Sequence, residues 1–125
     1  MINEEIVERN KNIAIFMEFE YNKTDSFGND NYRLPYEYRN IFNCSHYDNL
    51  HFNTSYDWLM PVVDKIESMI YFSMDITVEI EHNFCTIFGN FSPIFIDGET
   101  LKLTKKEAIF IAVSDFAKRY NERTL

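Results

Sequence analysis

Residues 76–81 alternate between apolar and polar side chains, and no other stretch limits the possible folds so strongly. The segment reads Ile76, Thr77, Val78, Glu79, Ile80 and Glu81. Such alternation is typical of a strand with one buried face and one solvated face. The buried face needs a covering layer, so the chain must fold as at least two packed layers.

The residues after this strand predict antiparallel hairpins. His82 and Asn83 are suited to a tight turn, and residues 84–88 then return as the second strand. Further on, Asp97 and Gly98 form a hairpin signal between the apolar segments 94–96 and 101–103. We therefore expect a small antiparallel sheet.

Three helices are predicted beside this sheet. The first runs from Asn3 to about Met17, and the second begins near Ser55. The third opens at Thr104, which forms a capping box with Glu107. The apolar stripe of the second helix comprises Trp58, Leu59, Val62, Val63, Ile66, Met69 and Ile70. The fold class is therefore α+β, a small antiparallel sheet layered with helices.

One core is expected to unite these elements within a single domain of residues 1–125, a usual size for one domain. Its predicted members are Trp58, Val62, Ile66, Ile76, Val78, Ile80, Ile109, Val113 and Phe116. Residues 21–54 differ, because aromatic side chains are mixed there with turn residues and no sustained period appears. We predict an irregular aromatic-rich segment that packs on the domain, with short strands within Tyr36–Phe42.

The charge of the chain narrows the classes of partner. The net charge is −8, and neither half of the chain is basic. Direct binding to nucleic acid is therefore not expected, since it requires clustered lysine and arginine. An acidic surface serves solubility, or it attracts a protein partner with a basic surface. No apolar run approaches the roughly 20 residues of a membrane span, and the acidic N-terminus does not resemble a secretion signal, so we expect a cytoplasmic protein without membrane contact.

The sequence contains only weak candidates for catalytic and cofactor-binding motifs. The glycines are isolated, which argues against a phosphate-binding loop. Sulfur and imidazole ligands that could converge on zinc are Cys44, His46, His51, His82 and Cys85. Their spacing matches no standard zinc finger, so we predict no metal, with Cys85 packed inside. Whether these five side chains meet is left open. We expect no cofactor, no catalytic residues and no enzyme activity.

The second half of the chain resembles a group of small tailed-bacteriophage proteins, the phage ABA sandwich domain group. The similarity covers about residues 55–122: the helix from Ser55 to Glu67, a strand pair with Cys85 in its second arm, and the helix from Lys105 to Glu122. This resemblance implies an α/β/α layered fold and a phage origin. It implies no activity, and the aromatic segment lies outside it.

The aromatic segment is the predicted binding region, because tyrosine and tryptophan dominate interaction hot spots. The candidate binding residues are Tyr32, Tyr36, Tyr38, Tyr47 and Tyr56. The main hypothesis is a non-enzymatic phage accessory protein in the host cytoplasm that binds a host or phage protein, with inhibition of a host defence or regulatory system as a role. The alternative is a protein that binds or sequesters a nucleotide-type small ligand. A competing interpretation of the aromatics is a second small core, and Glu79 with Glu81 is a further candidate surface.

Overall fold

Four helices and seven short strands make up the described part of the chain. The structure is a computed structural model and describes residues 3–22, 31–42, 46–47, 50–71, 74–81, 83–89, 92–97 and 104–123. In chain order the elements are α1 (Asn3–Phe16), β1 (Glu20–Asn22), β2 (Asn31–Arg33), α2 (Tyr36–Arg39), β3 (His46–Tyr47), α3 (Tyr56–Glu67), β4 (Ile70–Tyr71), β5 (Met74–Glu81), β6 (Phe84–Gly89), β7 (Ser92–Asp97) and α4 (Lys105–Arg123).

The larger sheet is antiparallel with the strand order β4-β5-β6-β7. Glu81 of β5 pairs with Phe84 of β6, which confirms the predicted hairpin. The alternation in β5 is also confirmed, because Ile76 is buried whereas Thr77 and Glu79 are exposed. The predicted strand at 94–96 lies within β7, while its partner at 101–103 lies outside the described residues.

Helices α3 and α4 cover the apolar face of this sheet. Helix α3 packs on β5, and α4 contacts β5, β6 and β7. The face that they cover carries the buried side chains of Ile76, Cys85 and Ile87, so the predicted burial of Cys85 is confirmed. The predicted α+β class is confirmed as well.

Helix α1 forms a further layer on α4. Residues 108–114 of α4 are all buried, so this helix needs cover on the side away from the sheet as well as toward it. Helix α1 supplies that cover. The described layers are therefore sheet, then α3 with α4, then α1, which differs from the α/β/α order that the phage resemblance implies.

A single cluster of buried side chains joins these layers. Seven of the predicted core residues are buried in it, and they are Trp58, Val62, Ile66, Ile76, Ile109, Val113 and Phe116. The other two, Val78 and Ile80, are half-buried and pack against the cluster. The predicted common core is thus confirmed.

Segment 21–54 is more regular than expected. Strands β1, β2 and β3 form a small antiparallel sheet in that order. The predicted strands within Tyr36–Phe42 are wrong, because the chain there forms the single helical turn α2, with a hydrogen bond from the Phe42 N–H to the Tyr38 carbonyl at 3.0 Å. This i, i+4 relation places both rings against Phe19, with ring centroids 6.4 Å and 5.7 Å away.

Helix α3 ends earlier than its apolar stripe predicts. The N–H of Ser68 bonds back to the carbonyls of Asp64 and Lys65 at 3.1 Å and 3.2 Å, and the helix stops at Glu67. Ile70 then pairs with Asp75 as part of β4. Assigning Met69 and Ile70 to the helix was therefore wrong, because an apolar residue that continues a helical stripe fits the start of a β-strand equally well.

The capping box at the start of α4 is confirmed in both directions. The Thr104 N–H donates to Oε1 of Glu107 at 3.1 Å, and the Glu107 N–H donates to Oγ1 of Thr104 at 3.2 Å. The bonds from the backbone N–H and then the hydroxyl of Thr104 hold the pKa of the Glu107 carboxyl below its ordinary value, although partial burial opposes this.

Replacing Thr104 by alanine is expected to lower the free energy of unfolding by about 1 kcal/mol at neutral pH, because it removes the cap of α4. The pKa of Glu107 is lower in the folded state than in the unfolded state. Its contribution to the free energy of unfolding is therefore present above the ordinary glutamate pKa of about 4.3, and it is lost as the pH falls through the folded-state pKa. Urea unfolding at neutral and acid pH measures both effects. Glu107→Gln should flatten this part of the pH dependence, and an unchanged profile would contradict the assignment.

Candidate functional site

Exposed apolar side chains gather around a cleft between the turn after α2 and the N-terminal half of α3. We call it the α2–α3 cleft; it has a volume of about 540 Å³ and is lined by Ile41, Phe42, Ser55, Tyr56, Asp57, Trp58, Met60, Pro61 and Asp64. Ile41 is 54% exposed, Tyr56 41% and Met60 38%. Large apolar side chains exposed together on a small domain are typical of an interaction surface.

The floor of the α2–α3 cleft is rigid because it belongs to the core. Trp58 is buried and packs edgewise on Phe52 and at a tilt on Phe42, with both centroid distances at 5.0 Å. The inward stripe of α3 leaves Asp57, Pro61 and Asp64 on the outward side, at the i, i+4 and i+7 positions of one face. The packing that stabilises α3 therefore also determines which side chains of the helix face outward.

The charge of the α2–α3 cleft is negative. Among its described lining residues, Asp57 and Asp64 are acidic and none is basic. Neither carboxylate has an ion-pair partner within the described ranges. One cation, Lys106, lies beside the aromatic wall: its Nζ is 5.0 Å from the centroid of the Tyr56 ring and donates to the Thr54 carbonyl at 3.1 Å. The cleft thus combines an apolar wall with two available carboxylates.

The five predicted binding tyrosines do not form one group. Tyr36 is 82% exposed and Tyr56 lines the α2–α3 cleft. Tyr32 is only 6% exposed and packs edgewise on Tyr21, so it is a core residue and is removed from the candidate site. Tyr38 is half-buried in a different cleft, and the side chain of Tyr47 lies outside what the structure describes. The competing interpretation as core therefore holds for some of these rings and fails for others.

The second cleft surrounds Lys65. It measures about 490 Å³ and is lined by Ile15, Phe16, Glu18, Glu37, Tyr38, Lys65, Ser68, Tyr120 and Asn121. Nζ of Lys65 donates to the carbonyl of Phe16 and lies 4.5 Å from the centroid of the Phe16 ring. Lys65 therefore caps the C-terminal end of α1, which is a structural use of this cation.

Charges in the Lys65 cleft act against one another. Burial lowers the pKa of Lys65, while Glu18 and Glu37 oppose that change. Burial, then Glu37 and Glu18, raise the pKa of the Tyr38 hydroxyl, so the phenol stays neutral. The ammonium group of Lys65 already donates to the Phe16 carbonyl, and the carboxylates of Glu18 and Glu37 beside it repel a phosphate group. This cleft therefore lacks the charge that a nucleotide-type ligand requires.

Glu18 has the left-handed backbone conformation, with φ of 63°. It follows the end of α1, where the Phe19 N–H bonds to the Ala14 carbonyl at 2.8 Å and the Glu18 N–H bonds to the Ile15 carbonyl at 3.0 Å. This pair of bonds is a Schellman motif, whose left-handed position usually holds glycine. A glutamate there costs about 1 kcal/mol, which the packing of Phe19 against its aromatic neighbours offsets.

The other candidate groups that the structure describes are not among the lining residues of either cleft. Glu79 and Glu81 are exposed on the outer sheet face, and a hydrogen bond between the two carboxyls raises the pKa of Glu79. His51 packs edgewise on Trp58 at 5.2 Å. Cys44, His82 and the side chain of His46 lie outside the described residues. Among the residues that are described, no three of His, Cys, Asp and Glu form a metal-binding group. The predicted absence of metal therefore stays a prediction.

The sequence contained an overlooked signal for the α2–α3 cleft. Met60 and Pro61 are apolar but fall off the buried stripe of α3, and they are flanked by Asp57 and Asp64. Apolar residues outside the core stripe of a short amphipathic helix indicate a second contact surface. Ile41 had no comparable signal, because its neighbours show no period.

Comparison of the chain with protein-family models, curated proteins and solved structures found no match. The resemblance to the phage ABA sandwich group therefore stays a prediction. In the described ranges, no helix combines the length and the apolar character needed to cross a bilayer.

Proposed function

We propose that this protein acts by binding another protein, and that the α2–α3 cleft together with Tyr36 is its contact surface. The partner presents apolar side chains next to basic ones. On the phage resemblance, the chain is a non-enzymatic accessory protein of a tailed bacteriophage that works in the host cytoplasm. Its target is a host or phage protein, and its role is inhibition of a host defence or regulatory system.

The observation that carries the proposal is the exposure of Ile41, Tyr56 and Met60 around one cleft whose floor is fixed by Trp58. Water solvates such side chains poorly, and covering them favours association by about 25 cal/mol per Å² of apolar area. The buried floor pre-organises the surface, which reduces the entropy lost on binding. The carboxylates of Asp57 and Asp64, which have no ion-pair partner among the described residues, support a basic partner.

The same features argue against the small-ligand alternative at this cleft. A nucleotide-type ligand carries negative phosphates, and both acidic side chains of the α2–α3 cleft repel them. The Lys65 cleft has the same difficulty, since Glu18 and Glu37 accompany its single lysine. Protein binding is therefore the function that the described surfaces support best.

Site-specific photocrosslinking in cells tests this proposal. A photoreactive phenylalanine analogue at position 60 is expected to give one discrete protein adduct, because Met60 lies in the proposed contact. The matched control carries the same analogue at position 7, since Val7 is a similarly apolar residue of α1 that is 51% exposed. Tyr56→Ala should then reduce the adduct and weaken binding of the captured protein by about 2 kcal/mol. Equal adducts at both positions, or none at position 60, would refute the proposed surface.

A further inference from the structure

We propose that the α2–α3 cleft receives a helical segment of its partner with two basic residues seven positions apart and two apolar residues between them. The proposed pattern is basic-x-x-apolar-apolar-x-x-basic. This inference rests on the proposed function and specifies the chemistry of its partner. It follows from the order of side chains along the outward face of α3.

The outward face of α3 has an acidic residue at each end and apolar residues between. Asp57, Met60, Pro61 and Asp64 occupy positions i, i+3, i+4 and i+7 of the helix, and all four line the cleft. Residues at this spacing lie on one side of a helix. At 1.5 Å per residue, the two acidic positions are about 10.5 Å apart along the axis. A partner must therefore place two cations at this separation, with apolar side chains in the middle.

A helix meets this requirement and a strand does not. In a helix, residues seven apart face the same side and are separated by about 10.5 Å. In a strand, the same distance corresponds to about three residues, which point to opposite faces. Helices that pack at about 20° keep such rows aligned over two turns. The spacing of Asp57 and Asp64 thus selects a helical partner over an extended one.

Pro61 adds a hydrogen-bond acceptor at one end of this face. Proline has no N–H, so the Asp57 carbonyl does not receive the usual intrahelical bond from position 61. The Asp57 carboxylate and this carbonyl belong to the same residue at the start of the face. A guanidinium group, with several donors in a fixed plane, is suited to such a pair of acceptors. The basic residue at this end is therefore best supplied as arginine.

The described lining of the cleft does not supply these cations itself. Lys106, beside Tyr56, already donates to the Thr54 carbonyl, and Arg39 lies 5.9 Å from the centroid of the Tyr36 ring and donates to the Leu34 carbonyl at 3.2 Å. The carboxylates of Asp57 and Asp64 have no ion-pair partner in the described part of the chain. The proposed partner is therefore expected to supply the charges that complement these two carboxylates.

Fluorescence anisotropy with designed peptides tests the inference. The probe is a labelled peptide of about 18 residues, long enough to form a helix on binding, with arginine at two positions seven apart and leucine at the third and fourth positions after the first arginine. One comparison peptide moves the second arginine by two positions, off the binding face, and the other replaces both arginines by glutamate. At low salt, we expect about fivefold weaker binding for the moved arginine and about 25-fold for the glutamate peptide.

Charge reversal on the protein provides the matched test. The double variant Asp57→Lys and Asp64→Lys should lose its preference for the arginine peptide and bind the glutamate peptide more tightly. The control variant, Glu4→Lys with Asp75→Lys, makes the same charge change at exposed residues elsewhere and should keep the wild-type preference.

Three results would overturn the inference: no binding of the arginine peptide, equal binding of all three peptides, or an unchanged preference in the Asp57→Lys and Asp64→Lys variant. The proposed function fails separately, through loss of the position-specific crosslink at Met60. A specific crosslink with no arginine preference would leave protein binding intact and reject only this partner chemistry.

Discussion

Replacing Phe52 by alanine is expected to lower the free energy of unfolding by about 3–5 kcal/mol, the cost of a large cavity in an aromatic core. Phe52 is fully buried and packs on Phe19 at 5.8 Å and on Trp58 at 5.0 Å. It lies in the segment that shows no period in the sequence, yet it joins that segment to α3. Urea unfolding followed by fluorescence and by circular dichroism measures the change.

The matched control for Phe52 is Tyr36→Ala, because Tyr36 belongs to the same segment and is 82% exposed. It should change the free energy of unfolding by no more than about 0.5 kcal/mol. A single transition seen by both probes is expected in each variant, since the aromatic side chains belong to one core. A separate early transition, or a loss below about 1 kcal/mol for Phe52→Ala, would show that the segment is not part of that core.

Replacing Arg9 by methionine is expected to cost about 2–3 kcal/mol, because Arg9 is the main polar link between the first and last helices. Its Nη1 lies 2.8 Å from Oγ of Ser114, 2.8 Å from Oδ1 of Asp115 and 3.2 Å from the Ile111 carbonyl. The Arg9 side chain is 19% exposed, so these charge-assisted bonds are partly shielded from water. Thermal or urea unfolding measures the effect.

Two further variants separate the contributions to the Arg9 link. Glu5→Gln should cost no more than about 0.5 kcal/mol, because the Glu5 side chain is 42% exposed and its pair with Arg9 is a surface one. Lys11→Met removes an exposed cation from the same helix and should be nearly neutral. If Arg9→Met were as mild as Lys11→Met, the bonds of Arg9 would contribute nothing measurable to holding α1 on α4.

Local patterns predicted the regular elements well. The alternation at Ile76–Glu81 and the Thr104–Glu107 pair depend on neighbours within a few residues, and both were confirmed. The end of α3 was missed because Ile70 continues the helical stripe while pairing in the sheet instead. An apolar residue at a helix end fits either structure, and only the tertiary partner decides.

Long-range contacts could not be predicted in the same way. Arg9 and Asp115 are 106 residues apart, and nothing near either of them identifies the other. Short strands were predicted within Tyr36–Phe42 because the aromatic residues there were expected to pack and no helical period was apparent. In the structure, a helical turn directs Tyr38 and Phe42 toward Phe19 instead. Tyr32 was predicted as a binding residue, but it is buried. Its burial depends on the pairing of β2 with β1 and β3, which no local pattern in the sequence indicates.

The α2–α3 cleft was predictable only in part. Tyr36 and Tyr56 were selected as aromatic residues and are exposed. The acidic and apolar face of α3 is visible in the sequence as Asp57, Met60, Pro61 and Asp64, but it is meaningful only once the buried stripe of α3 is known. Ile41 reaches the same cleft through the fold of the aromatic segment, which no local pattern specifies.

Mapping of amide chemical shifts tests most directly whether binding occurs at the α2–α3 cleft. Either the captured partner or the arginine peptide is added to isotope-labelled protein, and shifts are followed along the described chain. We predict that they concentrate at residues 36–42 and 55–64. Shifts concentrated instead on the outer sheet face, at Thr77, Glu79 and Glu81, with the cleft unaffected, would contradict the assignment.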